Sequence, residues 1–264
     1  MNHIKLKSTI KLTPNFDICK VTKGMELPLK SESFIEEYLN STKISDEYDA
    51  DLFLIVDDSI IAAFDYLYKG KKLAIPEVNP VMIFYSNALM THKKLKEFKE
   101  RLFEFSPEIN QVGIKVNLNY FSDYFLLASN CIVNLQSAIE CFINQIIPAN
   151  YVYFTSKGSR LKRRPTIHEK IDVAVVKIKK INFKASYEQE YALIKKLVDL
   201  RNDIIHLKPT SEKTNTKYKD LFRRVVDFDF ENTTIAVKKY INFYESNLIE
   251  NCSCGKDIFY DIRK

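Results

Sequence analysis

The sequence predicts an α+β N-terminal unit followed by an all-α helical bundle, and three observations carry that reading. Up to about residue 116 most apolar residues fall in short runs, several alternating with polar neighbours and separated by turn-forming pairs. From Tyr120 onward the apolar period changes to three and four, the spacing of a helix face. The apolar fraction of 46% is ordinary for a globular chain, which excludes collagen-like and disordered classes. A length of 264 residues fits one large or two modest domains. The expected division is a mixed domain at 1–116, a helical bundle at 117–248 and a C-terminal tail at 249–264.

Taken in order, Ile4, Leu6, Ile10 and Leu12 alternate with lysine, serine and threonine, as in a half-buried strand. Ser33-x-x-Glu36 resembles a capping box opening a short helix through Ile35, Tyr38 and Leu39. Leu52 to Val56, Ser59 to Tyr68 and Leu73 to Ile75 read as strands, joined at Asp57-Asp58 and Lys69-Gly70-Lys71. His92 to Phe105 is a charged amphipathic helix with Leu95, Phe98, Leu102 and Phe105 on one face. Val112 to Val116 forms one more expected strand.

Phe121, Tyr124, Phe125, Ala128, Ile132, Leu135, Ile139, Phe142, Ile143 and Ile146 then define a long helix that stops at Pro148. A loop follows with Lys157, Arg160, Lys162, Arg163 and Arg164 close together. Thr166-x-x-Glu169 is a second capping box, starting a helix through Ile178. A third helix runs from Ser186 to about Leu207, bounded by Pro209, and Tyr218 to Asp227 and Thr233 to Ser246 supply two more.

Composition removes several function classes. The five glycines, Gly24, Gly70, Gly113, Gly158 and Gly255, are so widely spaced that no paired-glycine phosphate loop can form. The net charge of +6 is unevenly placed: residues 1–116 hold 16 basic and 17 acidic side chains, and residues 117–264 hold 24 and 17. The basic half fits a polyanion partner or a cationic solvated surface. Five cysteines, an odd number without framework spacing, fit a reducing cytoplasm. Cys252-Ser-Cys254 has the spacing of half a metal site, but zinc needs further ligands at short spacing and the nearest preceding histidine is His206, so two unligated thiols and no metal or other cofactor are expected. No signal-like apolar run opens the chain, and polar residues interrupt the stretch 120–147, so a cytoplasmic protein without a membrane partner is expected.

The chemistry-bearing segment is the third helix of the bundle. Leu193, Ile194, Leu197, Leu200, Ile204 and Ile205 share an apolar arc, and Arg201 falls inside it. A guanidinium in an apolar stripe is costly unless paired or facing a polar seam. Asn202 and His206, four residues apart, lie beside the arc. Imidazole serves as acid and base near neutrality, and guanidinium offers fixed donors to a phosphate. A histidine in a last turn also has a plain reading as a partner of the helix dipole. Glu140, with Ser137 and Asn144 on the polar side of the long helix, could orient His206 or Arg201, or be simply solvated. His168 beside the basic loop is explained as well by capping and exposure, His92 reads as a surface residue and His3 as a terminal one.

Leu200-Arg201-Asn202-Asp203-Ile204-Ile205-His206 resembles the R-[N/D/H]-x3-H signature of HEPN domains, helical bundles of many prokaryotic toxins and defence proteins. Asn134-Leu135-Gln136-Ser137-Ala138-Ile139-Glu140 is similar to that family's opening helix, and the order of elements over about residues 118–248 agrees. The resemblance implies a HEPN-like bundle and a metal-independent endoribonuclease, with the motif helices of two protomers meeting across a homodimer. His206 would be the acid/base for 2′-hydroxyl attack or would protonate the leaving 5′-oxygen, Arg201 would stabilise phosphoryl charge, and Asn202 would orient the histidine or the phosphate. The resemblance implies a toxin or antiviral effector with RNA as partner and an antitoxin as a further one. The basic loop Lys157, Arg160, Lys162, Arg163 and Arg164 would track RNA phosphates. Two other readings stay open: a non-catalytic HEPN module binding RNA or a partner protein, and a purely structural helical dimer.

Overall fold

The computed structural model describes residues 3–12, 29–56, 59–111, 113, 115–155, 157–207, 216 and 218–254. The chain forms two compact units. One runs from Leu6 to Asn79; the other comprises the residues from Pro80 onward together with those up to Lys5. Packing therefore divides the chain at residue 79, whereas the sequence placed the boundary at 116. The reason is a helix that periodicity caught only in its second half.

The first unit is built on an antiparallel sheet. Strand β1 (Lys11–Leu12) is followed by helix α1 (Leu29–Asn40), a 3-10 turn at Ser45–Tyr48, and strands β2 (Leu52–Val56), β3 (Ser59–Tyr68) and β4 (Lys71–Pro76). Strand β3 is central: β2 pairs along one edge, and β1 and β4 follow one another along the other. Lys69 and Gly70 both have positive φ, 50° and 75°, the geometry that joins two strands through a two-residue turn with the twist of the strands. Ser33 lies inside α1, so the helix opens before the expected capping box. Leu6, Ile10 and Leu12 are exposed, and only Ile4 of that alternating set is buried. The expected half-buried strand shrinks to β1, because Ile4 packs with the other unit. Buried Asp65 organises this unit: Tyr38 Oη donates to it at 2.7 Å, Ser45 Oγ at 2.8 Å and Ser45 N at 3.0 Å.

The second unit is helical. Helix α2 (Pro80–Glu104) and helix α3 (Asn119–Ile146) pack side by side. Pro80 is tolerated at the first position of α2, where an N–H has no helical partner. Val81, Met82, Tyr85, Ala88, Leu89, Leu95 and Leu102 are its buried face, with Phe98 partly buried, while Phe105 stays exposed beyond its end. Nothing between Pro80 and Thr91 carries charge, so the segment lacked the polar stripe that marks an amphipathic helix. Of the strand expected at Val112–Val116, Val112 and Ile114 lie outside the described residues, and Lys115 and Val116 are not in a strand.

Helix α3 is the centre of the core; Tyr124, Ala128, Cys131, Ile132, Leu135, Ala138, Ile139, Phe142 and Ile143 are all buried. It is long and apolar enough to cross a bilayer, yet it is packed as a core helix, with 56% of its most apolar window buried. Helix α4 opens at Ile167–Glu169 on the expected capping box, Glu169 N donating to Thr166 Oγ1 at 3.2 Å and Thr166 N to Glu169 Oε2 at 2.8 Å. It continues as a π-helical stretch, Lys170–Val175, and returns to α geometry at Val176–Lys179. A short α5 (Phe183–Ser186) precedes the motif helix α6 (Glu188–Ile205), then α7 (Lys219–Val226) and α8 (Phe230–Tyr244). Helices α6 and α8 pack on one another and on α3. Beyond α8, Leu248 and Ile249 are buried, so residues at the start of the expected tail belong to the core.

Candidate functional site

The motif residues occupy the C-terminal turn of α6. Tyr191, Ile194, Leu197, Val198, Leu200 and Ile204 form its buried face. At about 100° per residue, Arg201 projects from the middle of that face. It is half-buried, and its Nε is buried without a hydrogen-bond partner among the described residues. Its Nη1 donates to Asn202 Oδ1 at 3.4 Å, a long bond inside the motif itself. Asn202, also half-buried, accepts the His206 backbone N–H on its carbonyl at 3.0 Å, which closes the helix. His206 is the terminating residue, with φ −107° and ψ 42°, and is exposed. Ile205, expected in the apolar arc, is instead 50% exposed, and Leu207 is 47% exposed. Here the helix ends, and none of the described residues buries that side.

The remaining candidates divide. Glu140 is half-buried on α3, and no hydrogen bond or ion pair joins it to Arg201 or His206 among the described residues. In the same stretch Asn134 and Gln136 are buried. Asn134 Nδ2 is held by the Asn130 carbonyl at 2.8 Å, while Gln136 Oε1 has no partner among the described residues.

The basic loop is a small hairpin. Leu161 N donates to Tyr153 O at 2.8 Å, Thr155 N to Ser159 O at 2.8 Å, and Gly158 takes the positive φ of 83° that the turn needs. Lys157, Arg160, Lys162 and Arg164 are exposed on it. Arg163 is engaged otherwise: both its terminal nitrogens bind Glu169, at 2.9 and 2.7 Å, locking the hairpin base to the start of α4. That bidentate pair, with the Thr166 backbone N–H, holds the Glu169 carboxyl below the usual carboxylate range.

The fold also joins groups that no sequence spacing signals. His168 Nε2 lies 2.9 Å from Asp199 Oδ1, tying α4 to the motif helix. Tyr191 Oη donates to Asp172 Oδ1 at 2.6 Å, and burial together with that carboxylate pushes the phenol well above its ordinary range. His168 lies just before the π-helical stretch and Asp172 within it, and the wider turn shifts the residues after His168 relative to an ideal helix. Asp199 also lines a groove of about 450 Å³ with Lys196, Arg224, Asp227 and Asp229, where Arg224 is paired with Asp203 at 2.7 Å. His92 is half-buried rather than surface, and burial lowers its pKa. His3 is 2% exposed and sits beside Cys252 and Cys254.

Comparison with family models, curated proteins and solved structures finds no match to the chain.

Proposed function

We propose that this chain is a HEPN-type, metal-independent endoribonuclease acting as a homodimer, with Arg201, Asn202 and His206 at its site. The observation that supports it most is the state of Arg201. Its guanidinium emerges from the buried face of α6, with Nε unpartnered and one long bond to Asn202, so among the described residues a cation is held in place with no carboxylate paired to it. A phosphodiester supplies the missing acceptor oxygens.

In this reading the RNA 2′-hydroxyl loses its proton to an imidazole as its oxygen bonds to the adjacent phosphorus. The bond from phosphorus to the 5′-oxygen then breaks, and that oxygen takes a proton from an imidazolium. The products are a 2′,3′-cyclic phosphate and a 5′-hydroxyl. Arg201 stabilises the charge on the non-bridging oxygens, and Asn202 fixes the guanidinium. The exposed Ile205 and Leu207 beside His206 give a second copy an apolar surface to cover. Lys157, Arg160, Lys162 and Arg164 line the path of the backbone, and a toxin or antiviral role follows from the same resemblance.

The test is incubation with RNA in magnesium-free buffer. Cyclic phosphate ends are expected, with Arg201→Ala and His206→Ala each slowing cleavage by about 10² to 10⁴-fold. Uncut RNA, or variants as active as the wild type, overturns the proposal.

One observation favours the non-catalytic reading, a module that binds RNA or a partner protein. No hydrogen bond among the described residues orients the His206 ring, whereas a working general base is commonly held by a third group. That reading expects salt-sensitive RNA retention without cleavage.

A further inference from the structure

The two ends of the described chain meet in the helical unit. Lys5 N donates to Glu250 O at 2.9 Å, Ile4 and Asn251 form an antiparallel bridge, and Cys252 N donates to His3 O at 3.0 Å. The Lys5 and Glu250 side chains add an ion pair. Ile4 is 2% exposed and Ile249 1%, so this pairing rests on the core.

The register brings three metal-ligating side chains together. His3 Nε2 lies 3.4 Å from Cys254 Sγ, and the His3 nitrogen and the sulfurs of Cys252 and Cys254 are all within 4.8 Å of one another. His3 is buried, Cys252 half-buried and Cys254 exposed. We infer that His3, Cys252 and Cys254 form a zinc-binding site that staples the N-terminal segment to the chain beyond α8.

The dimensions fit. Zinc bonds of about 2.3 Å to sulfur and about 2.0 Å to imidazole nitrogen place N and S roughly 3.5 Å apart, and two sulfurs roughly 3.8 Å apart, on a tetrahedron. The observed 3.4 Å is already that N–S edge, and the remaining separations, all within 4.8 Å, close by small rotations of the half-buried Cys252 and exposed Cys254 side chains. The donor set of one imidazole and two thiols selects a borderline-soft cation and disfavours magnesium and calcium. Three protein donors leave one of the four zinc positions for water.

The site's work is structural. It links residue 3 to residues 252 and 254, so its binding free energy adds to the closure of nearly the whole chain. It stands apart from the motif on α6 and holds whether or not RNA is cleaved.

The test uses the full chain, purified with reductant and without chelator. About one zinc per chain is expected by elemental analysis. Titration of the metal-free protein with cobalt(II) should give the visible bands of a tetrahedral centre and thiolate-to-cobalt charge transfer, both displaced by zinc. Losing an outer-shell partner already weakens a metal site about 10- to 100-fold, so His3→Gln, Cys252→Ser and Cys254→Ser should each weaken cobalt binding by more than about 100-fold, while Cys141→Ser leaves it unchanged. Should a variant fail to fold, the wild type decides: bound zinc must protect Cys252 and Cys254, and not Cys141, from alkylation. No thiolate–cobalt band at saturating cobalt, a band surviving in all three ligand variants, or alkylation of Cys252 and Cys254 unaffected by zinc overturns the inference.

Discussion

At the residue scale, the most informative side chain is Arg201. Its Nε is buried and unpartnered among the described residues, on the most apolar face of α6. Replacing a buried polar group by an apolar one of similar length is often neutral or stabilising. Arg201→Met should therefore keep or raise stability, within about 1 kcal/mol in urea unfolding, while abolishing RNA cleavage or binding. A loss of more than about 2 kcal/mol would mean the guanidinium is a structural group. Asp65 is the opposite case, a buried carboxylate saturated by donors from Tyr38 and Ser45. Burial by itself would raise its pKa, but those hydrogen bonds prevail and hold it below the ordinary value. Its contribution to stability is therefore complete above the unfolded carboxylate pKa of about 3.9 and is lost as pH falls through the lower folded value. Asp65→Ala should cost about 2 kcal/mol at neutral pH and remove that acid-sensitive component, read from denaturation of the two proteins at pH 7 and pH 3.

At the scale of elements, the basic hairpin and the motif helix carry the testable consequences. Lys157, Arg160, Lys162 and Arg164 are exposed, whereas Arg163 is spent on Glu169. Neutralising any of the four should weaken RNA binding across sequences and reduce the salt slope by about one per contact, measured by binding at several ionic strengths. Arg163→Ala should act mainly on stability, by less than about 1 kcal/mol for so exposed a pair, because it removes the clamp on the α4 capping box. The π-helical stretch in α4 and the His168–Asp199 contact show how little of an element's geometry is written in local pattern. The capping box marked where α4 starts, since capping is a matter of four consecutive residues. The wider turn that follows packs against α3 and left no periodic trace in the sequence.

At the scale of the whole molecule, the division of the chain decides which pieces can stand alone. Helix α2 supplies Val81, Met82, Tyr85, Ala88, Leu89, Leu95 and Leu102 to the same core as α3, and Tyr85 Oη donates to the Thr234 carbonyl of α8 at 3.1 Å. A fragment beginning at residue 117 should therefore fail to fold cooperatively, while one beginning at residue 80 should retain helical circular dichroism and a cooperative melt. The second fragment lacks Ile4 and His3, so its melting point should fall below that of the full chain. Equal behaviour of the two fragments would show that α2 is dispensable to the core.

By itself the sequence determined what short-range physics controls: the strands β2, β3 and β4 with their Lys69-Gly70 turn, the long helix α3 ending before Pro148, the Thr166–Glu169 capping box, and Arg201 inside an apolar arc. Each depends on residues within one or two turns of one another. Tertiary structure alone decided the boundary at residue 79, the exposure of Ile205, the capture of Arg163 by Glu169, and the meeting of His3 with Cys252 and Cys254. These depend on which surfaces the folded chain brings together. A histidine some 250 positions from the two cysteines carries no local signal, because their separation is set by an isolated antiparallel bridge, Ile4 to Asn251, between segments far apart in sequence.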